Sequence, residues 1–393
     1  MNVLYISYDG ALDPLGRSQV IPYLEGLTKH GHRFDLISFE KPQRWARAED
    51  RLAVANRLKA SDIRWRPLSY HKRLSAFATA YDLAHGFTLG ALIGKTRQVG
   101  LVHARSYPAT LIAWRLSKLL KIPFVFDMRG FYADERTEGG MWPENSALYR
   151  LTKRLERAFL RDASAVITLT QASVPTLKGW IRDAGGRASP VVIPTCTDTE
   201  RFRPVTGAQK LTLAYVGSIG SWYMLDEMLA FGKIVLEQNR EASLRFITND
   251  GGEQVRARAL ALGVDAQRFS LDSVSHERVP QALDDVAATF HFIRPTFSKT
   301  ASAATKFGES LALGLPVVVN PGVGDSAAIV AKERVGVVIP RFDREAYADG
   351  AAALVRELRD PELRARCRAA ALQYFSLSDG VAKFASVYES FCR

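Results

Sequence analysis

Residues 298–324 read SKTASAATKFGESLALGLPVVVNPGVG. Small and hydroxylic residues from Thr300 to Thr305 suit a loop, and residues 305–313 suit a short helix stopped by Gly314. Pro316 then precedes the apolar run Val317, Val318, Val319, which reads as a buried strand. A loop that opens a helix presents unpaired backbone N–H groups and the positive end of the helix dipole, a setting that suits phosphate oxygens. Thr305 and Glu309 lie four residues apart and so share one side of the helix. One can meet a phosphate while the other accepts hydrogen bonds from a ribose hydroxyl.

Working outward, 393 residues fit two domains, each large enough for its own core. Apolar residues at 47% and charged residues at 24% are ordinary for a globular chain. A net charge of +12 favours anionic partners, among them sugar nucleotides, phospholipid surfaces and nucleic acid. Cys196, Cys367 and Cys392 lack metal-site spacing and, being odd in number, give no disulfide framework, so reduced thiols and a cytoplasmic setting are expected. The first residues run directly into a strand without the pattern of a signal peptide, and no apolar run has the length to span a bilayer.

Residues 3–6 begin a strand, a loop follows to Arg17, a helix occupies about 18–30, and residues 33–39 form the next strand; this order starts a parallel sheet. Ligands of such sheets bind beyond the carboxyl ends of the strands, where the loop carrying Gly16 and Arg17 must lie. Gly16 is equally read as part of a long connection. Between residues 41 and 73 ten Lys and Arg stand against three acidic residues, with Trp45 and Trp65 among them, as suits an anionic membrane surface or a solvated helix face. No nucleic-acid fold signature accompanies the charge, so nucleic acid is not an expected partner. A mainly helical apolar stretch over 74–92 leads to the strand 101–104, which brings His103 near a carboxyl end or into the core. The strand 122–127 runs into Asp127, Arg129 and Glu135, charged residues suited to acceptor binding or acid–base work. A helix over 148–161 carries a basic face. In the second half, the strand 211–216 leads into Gly217, Ser218 and Gly220, a loop that permits close backbone approach to a phosphate or sugar.

The string Ser302, Ala303, Ala304, Thr305, Lys306, Glu309, Gly314, Pro316, Val317, Val318 resembles the donor signature of GT-B glycosyltransferases of the family 4 type. Residues 191–204, VVIPTCTDTERFRP, resemble the same family's end-of-domain sequence through Pro194, Asp198, Phe202 and Pro204. The resemblance implies an α/β fold of two Rossmann-like domains facing a cleft: an acceptor domain over 1–198 completed by a C-terminal helix at about 375–393, and a donor domain over 211–374. It implies transfer of a sugar from a UDP- or GDP-sugar to a glycan or lipid-linked acceptor, with retention, in bacterial surface polysaccharide or glycolipid synthesis. No metal and no cofactor besides the donor is implied. A protein of this kind works in the cytoplasm, with an anionic inner membrane face as a further partner.

Carried onto this chain, donor binding falls to Gly217, Ser218, Gly220, Ser302, Thr305, Lys306, Glu309 and Arg294. Acceptor binding falls to Gly16, Arg17 and Glu135, and catalysis to Asp127, Arg129 and His103. The family often has another glutamate where Ala301 stands, and many relatives have a histidine in the region of Asp127 to Glu135, where this chain has none. The Arg and Lys that many relatives carry after the glycine loop are replaced by Trp222, Tyr223 and Asp226, which leaves Lys306, Arg294 or Lys299 to neutralise a diphosphate. Rival readings are a GT-B sugar-nucleotide epimerase or hydrolase, and a non-catalytic nucleotide-sugar binder.

Overall fold

The computed structural model describes residues 1–71, 75–207 and 210–391. Lys72, Arg73 and Leu74, the linker residues Ala208 and Gln209, and Cys392 with Arg393 lie outside the described residues. Short Val-, Ile-, Leu- and Phe-rich runs separated by helical crossovers produce parallel sheets whose strands are buried on both faces. Two compact units result: residues 1–194 with 377–393, and residues 195–376.

The first unit holds β1 (Asn2–Ser7), β2 (Arg33–Glu40), β3 (Ile63–Ser69), β4 (Leu101–Arg105), β5 (Phe124–Asp127), β6 (Ala165–Thr168) and β7 (Pro190–Val192), in the order β3-β2-β1-β4-β5-β6-β7. Every pairing is parallel. Two segments differ from the sequence expectation. The helical region after the first loop starts at Pro14, which fits a first helical turn, and breaks at Val20 into Pro14–Gln19 and Ile21–Lys29, where Pro22 opens the second helix. Residues 63–69, within the basic stretch, form β3 rather than a helix face. Its arginines are accommodated by Asp35 on β2, which lies 3.4 Å from Arg64 and 3.6 Å from Arg66. The helix Leu377–Glu389 belongs to this unit, with Phe384 edge-on to Tyr23 and Tyr388 fully buried.

The second unit holds β8 (Thr212–Val216), β9 (Ser243–Ile247), β10 (Phe269–Asp272), β11 (Ala288–Phe290), β12 (Val317–Val319) and β13 (Gly336–Val338), ordered β10-β9-β8-β11-β12-β13. One apolar layer gathers Tyr215, Phe231, Phe246 and Phe290, and a second gathers Phe307, Leu311, Val317 and Phe375. Strand order reverses at β1/β4 in the first sheet and at β8/β11 in the second. The carboxyl ends at such switch points are where open α/β sheets take ligands. Among the described residues no helix is long and apolar enough to cross a membrane.

Candidate functional site

In the second unit, β8 ends in the loop Gly217–Ser218 and β11 leads to His291 and Arg294, so the switch point is bordered by these residues. The helix Thr305–Ala312 begins beside them, with Ala304, whose methyl group cannot cap it, at its N-cap. Ser302, Thr305 and Lys306 are half-buried and so in contact with solvent.

Lys306 reaches the glycine loop. Its Nζ donates to the Tyr215 hydroxyl at 2.9 Å and lies over the rings of Tyr215 and Tyr223, 4.0 and 3.8 Å from their centroids. Gly217 has φ +129°, and a Cβ there would stand 2.6 Å from Lys306 Nζ. Glycine is therefore required by the backbone conformation, and a side chain there would push the Lys306 ammonium aside. Tyr215 in turn donates to the Ser218 carbonyl at 2.7 Å, which ties the loop to the same cluster. Burial drives the Lys306 pKa well below the ordinary lysine value, a shift only partly opposed by Glu309. Neighbouring His291 is pushed down to about 3, first by burial and then by Lys306, and stays neutral. Among the described residues no carboxylate is bonded to this ammonium, and a cation seated on two ring faces can meet an incoming anion.

Glu309 is 7% exposed and contacts His276 Nε2 at 2.7 Å. His276 lies beyond the carboxyl end of β10. Ala301, where relatives often have a further carboxylate, is completely buried. Gly220 faces open space, while Arg294 donates its backbone N–H to the Trp222 carbonyl and lines a cavity of about 630 Å³ with Tyr223, Asp226 and Arg258. Lys299 is buried with its ammonium 3.7 Å from the Trp222 ring centroid.

In the first unit, the charged residues at the carboxyl ends of β4 and β5 converge. Asp127 is 1% exposed; Arg129 and Arg105 each stand 3.7 Å from one of its oxygens, as does His103 Nε2. Burial would raise the Asp127 pKa, but Arg129, His103 and Arg105 together outweigh it and hold the carboxyl below its usual value. Arg129 occupies left-handed backbone at φ +60°, a conformation that costs a non-glycine residue free energy. Arg105 also approaches Asp9 of the first loop at 3.8 Å. His103 stacks on Tyr5, and its Nδ1 meets the Tyr388 hydroxyl at 2.6 Å; burial lowers its pKa, so it is a neutral histidine inside the core.

Gly16 packs against its own loop, since a Cβ there would lie 2.1 Å from the Gly10 carbonyl oxygen. Arg17 pairs with Asp50 at 3.0 Å. Glu135 sits in the first turn of Tyr132–Glu138. The loop before Gly16 is pinned by Glu40, which accepts from the N–H groups of Ala11 and Leu12. Of the sequence-derived set, Gly217, Ser218, Lys306 and Glu309 gather in the second unit, and His103, Asp127 and Arg129 in the first, while Gly16 packs within its own loop and Arg17 pairs with Asp50. His276, Tyr215, Arg105 and Asp9 were not singled out from sequence. Arg105, Asp9 and His276 share one readable signal, a place at or just past the carboxyl end of a strand.

Comparison with known proteins bears on both units. Residues 20–195 match the family model described as glycosyl transferase 4-like domain, and residues 197–374 match that of glycosyl transferases group 1. No curated protein matches by sequence. Among solved structures, sucrose-phosphate synthase from Thermosynechococcus elongatus is 15% identical with a TM-score of 0.76, over 100% of this chain and 99% of that one. HepE from Anabaena, solved with UDP and glucose, is 15% identical with a TM-score of 0.68, over 99% and 100%. A putative UDP-N-acetylglucosamine 2-epimerase from Listeria monocytogenes is 13% identical with a TM-score of 0.64, over 99% and 96%.

Proposed function

We propose, given that this chain belongs to the group 1 glycosyltransferases of the GT-B fold, that its second unit takes a nucleotide-diphosphate sugar and that the sugar passes to a glycan or glycolipid acceptor. The carrying observation is the Lys306 ammonium set between two tyrosine rings and Gly217, beside the start of the Thr305 helix, whose N-cap is Ala304. As the sugar–phosphate bond breaks, negative charge grows on the departing diphosphate. Helix N–H groups and a cation held nearby stabilise that charge more than they stabilise the bound donor, which is the condition for catalysis. Glu309, held by His276, is left to accept from the ribose hydroxyls. Binding of UDP and glucose by HepE supports a uridine donor as the first to test.

In the first unit Asp127, Arg129 and Arg105 form the polar group best placed to meet an acceptor, with His103 as a positioning residue beneath them. The basic stretch lends a membrane-bound acceptor little support, because Arg57, Arg64 and Arg66 are paired with Glu25 and Asp35. The rival is acceptor-independent turnover, since a putative epimerase shares the fold.

A thermal-shift screen with UDP, GDP, ADP, CMP and their sugar conjugates tests the reading, because a ligand that binds only the native state raises its melting temperature. One nucleoside diphosphate is expected to raise Tm in the wild type and to lose that effect in Glu309→Ala. Absence of any shift would remove the donor assignment, and sugar-nucleotide consumption without an acceptor would favour the rival.

A further inference from the structure

On the β3 side of the first sheet lies a group of side chains that the reading above does not use. Asp82 is one of the two charged residues of the helix Ser75–Thr96, the other being Lys95 near its end, and it is 1% exposed. Burying a carboxylate is costly unless its oxygens are satisfied. Here Oδ1 meets His71 Nδ1 at 2.6 Å, while Oδ2 accepts from the His71 backbone N–H at 3.0 Å and from the Tyr8 hydroxyl at 3.4 Å. Two of these three contacts orient a single residue.

A carboxylate only accepts, so Nδ1 donates to it, and in the tautomer this selects Nε2 presents a lone pair. The ring is 47% exposed, and Tyr81, itself 59% exposed, stands edge-on to it at 5.4 Å, with His85 6.0 Å beyond. Tyr8 and Tyr70 close the other side, 5.6 Å apart. Tyr8 follows β1 and His71 follows β3 by two residues, so the group stands at the carboxyl ends of the strands, where ligands of such sheets are met. An exposed aromatic face beside a fixed hydrogen-bond acceptor has the chemistry of a pyranose site: the ring covers the apolar C–H face, and the acceptor takes a hydroxyl proton.

We propose that His71, oriented by Asp82, and Tyr81 form a saccharide-binding subsite in the first unit, taking a neutral pyranose of the acceptor. This rests on the glycosyltransferase reading for its purpose, but its binding chemistry stands independently. A purely structural pin between the end of β3 and the helix would account for Asp82 alone; it would leave the outward imidazole and the exposed tyrosine without work.

The test is saturation-transfer NMR on the full chain with methyl glycosides of glucose, galactose, mannose and N-acetylglucosamine, run beside a UDP thermal shift. At least one glycoside is expected to receive saturation, with binding roughly tenfold weaker in His71→Gln and in Tyr81→Ala, as loss of a hydrogen bond or an aromatic contact implies. Both variants change exposed side chains, and an unaltered melting transition of the first unit in the absence of ligand confirms that they fold. No saturation of any glycoside in the wild type, or binding that survives both substitutions, overturns the subsite. If UDP fails to shift Tm while glycoside binding behaves as expected, the donor assignment falls and the subsite stands.

Discussion

Lys306 is the residue whose titration separates a structural role from a binding one. In the unfolded chain it titrates as an ordinary lysine, whereas burial lowers its pKa in the native state. Between those two values the unfolded chain binds more protons, so stability rises with pH across that window and falls as pH drops through it. Lys306→Met is therefore expected to raise Tm near neutral pH, with the gain shrinking as pH climbs toward the ordinary lysine value. If Lys306 holds the diphosphate as proposed, the same variant should lose UDP stabilisation and, on the order of a hundredfold, activity. Calorimetry across pH with and without UDP reads both effects; a UDP shift that persists in the variant would show that another cation holds the diphosphate. Thr305, Lys306 and Glu309 were legible because they sit within one helix and its start. His276 was not, for it comes to Glu309 only through the packing of β10's loop against that helix.

At the scale of elements, the loop after β8 and the helix Thr305–Ala312 act as one body, joined through Tyr215, Lys306 and Gly217. Gly217→Ala should break that body: alanine is strained at φ +129°, and its methyl group would displace the ammonium. The expected result is a destabilisation of about 1–3 kcal/mol with loss of the UDP-induced shift, measured by urea unfolding and calorimetry. Stability lost with the UDP response intact would mean that the loop and the ammonium are not coupled. Strands such as β1 and β12 were legible as unbroken apolar runs bounded by turn residues. β3 was hidden because Arg64, Arg66 and Pro67 interrupt its pattern, and the Asp35 that pairs with both arginines lies on another strand, roughly thirty residues away. The His71–Asp82 pair was hidden for the same reason: one partner follows a strand and the other sits about two turns inside a helix.

The whole molecule consists of two units, each with its own sheet and core, and the chain leaves the first at Pro194 and rejoins it at Leu377. Separate cores allow separate melting, and a ligand raises only the transition of the unit that holds it. Calorimetry is expected to show UDP raising the transition of residues 195–376. Deletion from Leu377 onward should lower the other transition alone, because it uncovers His103 and the apolar surface under Phe384 and Tyr388. Equal response of both transitions to UDP would place the nucleotide on both units. The two-sheet organisation was readable from alternating strand and helix patterns. The position of the last helix came from family likeness, since its Val381, Phe384 and Tyr388 stripe specifies an apolar face to be covered without saying by which sheet.

The return of the chain to its first unit also sets an order of events on the ribosome. The segment from Thr195 to Ser376 is continuous and can complete its sheet as it emerges. The earlier-made unit cannot, since the strip that takes Phe384 and Tyr388 stays open until Leu377–Glu389 has been made. At ordinary elongation rates that interval lasts about ten to forty seconds. Throughout it the nascent protein presents a sticky surface near His103, a natural landing place for chaperones and a liability for any message that terminates early.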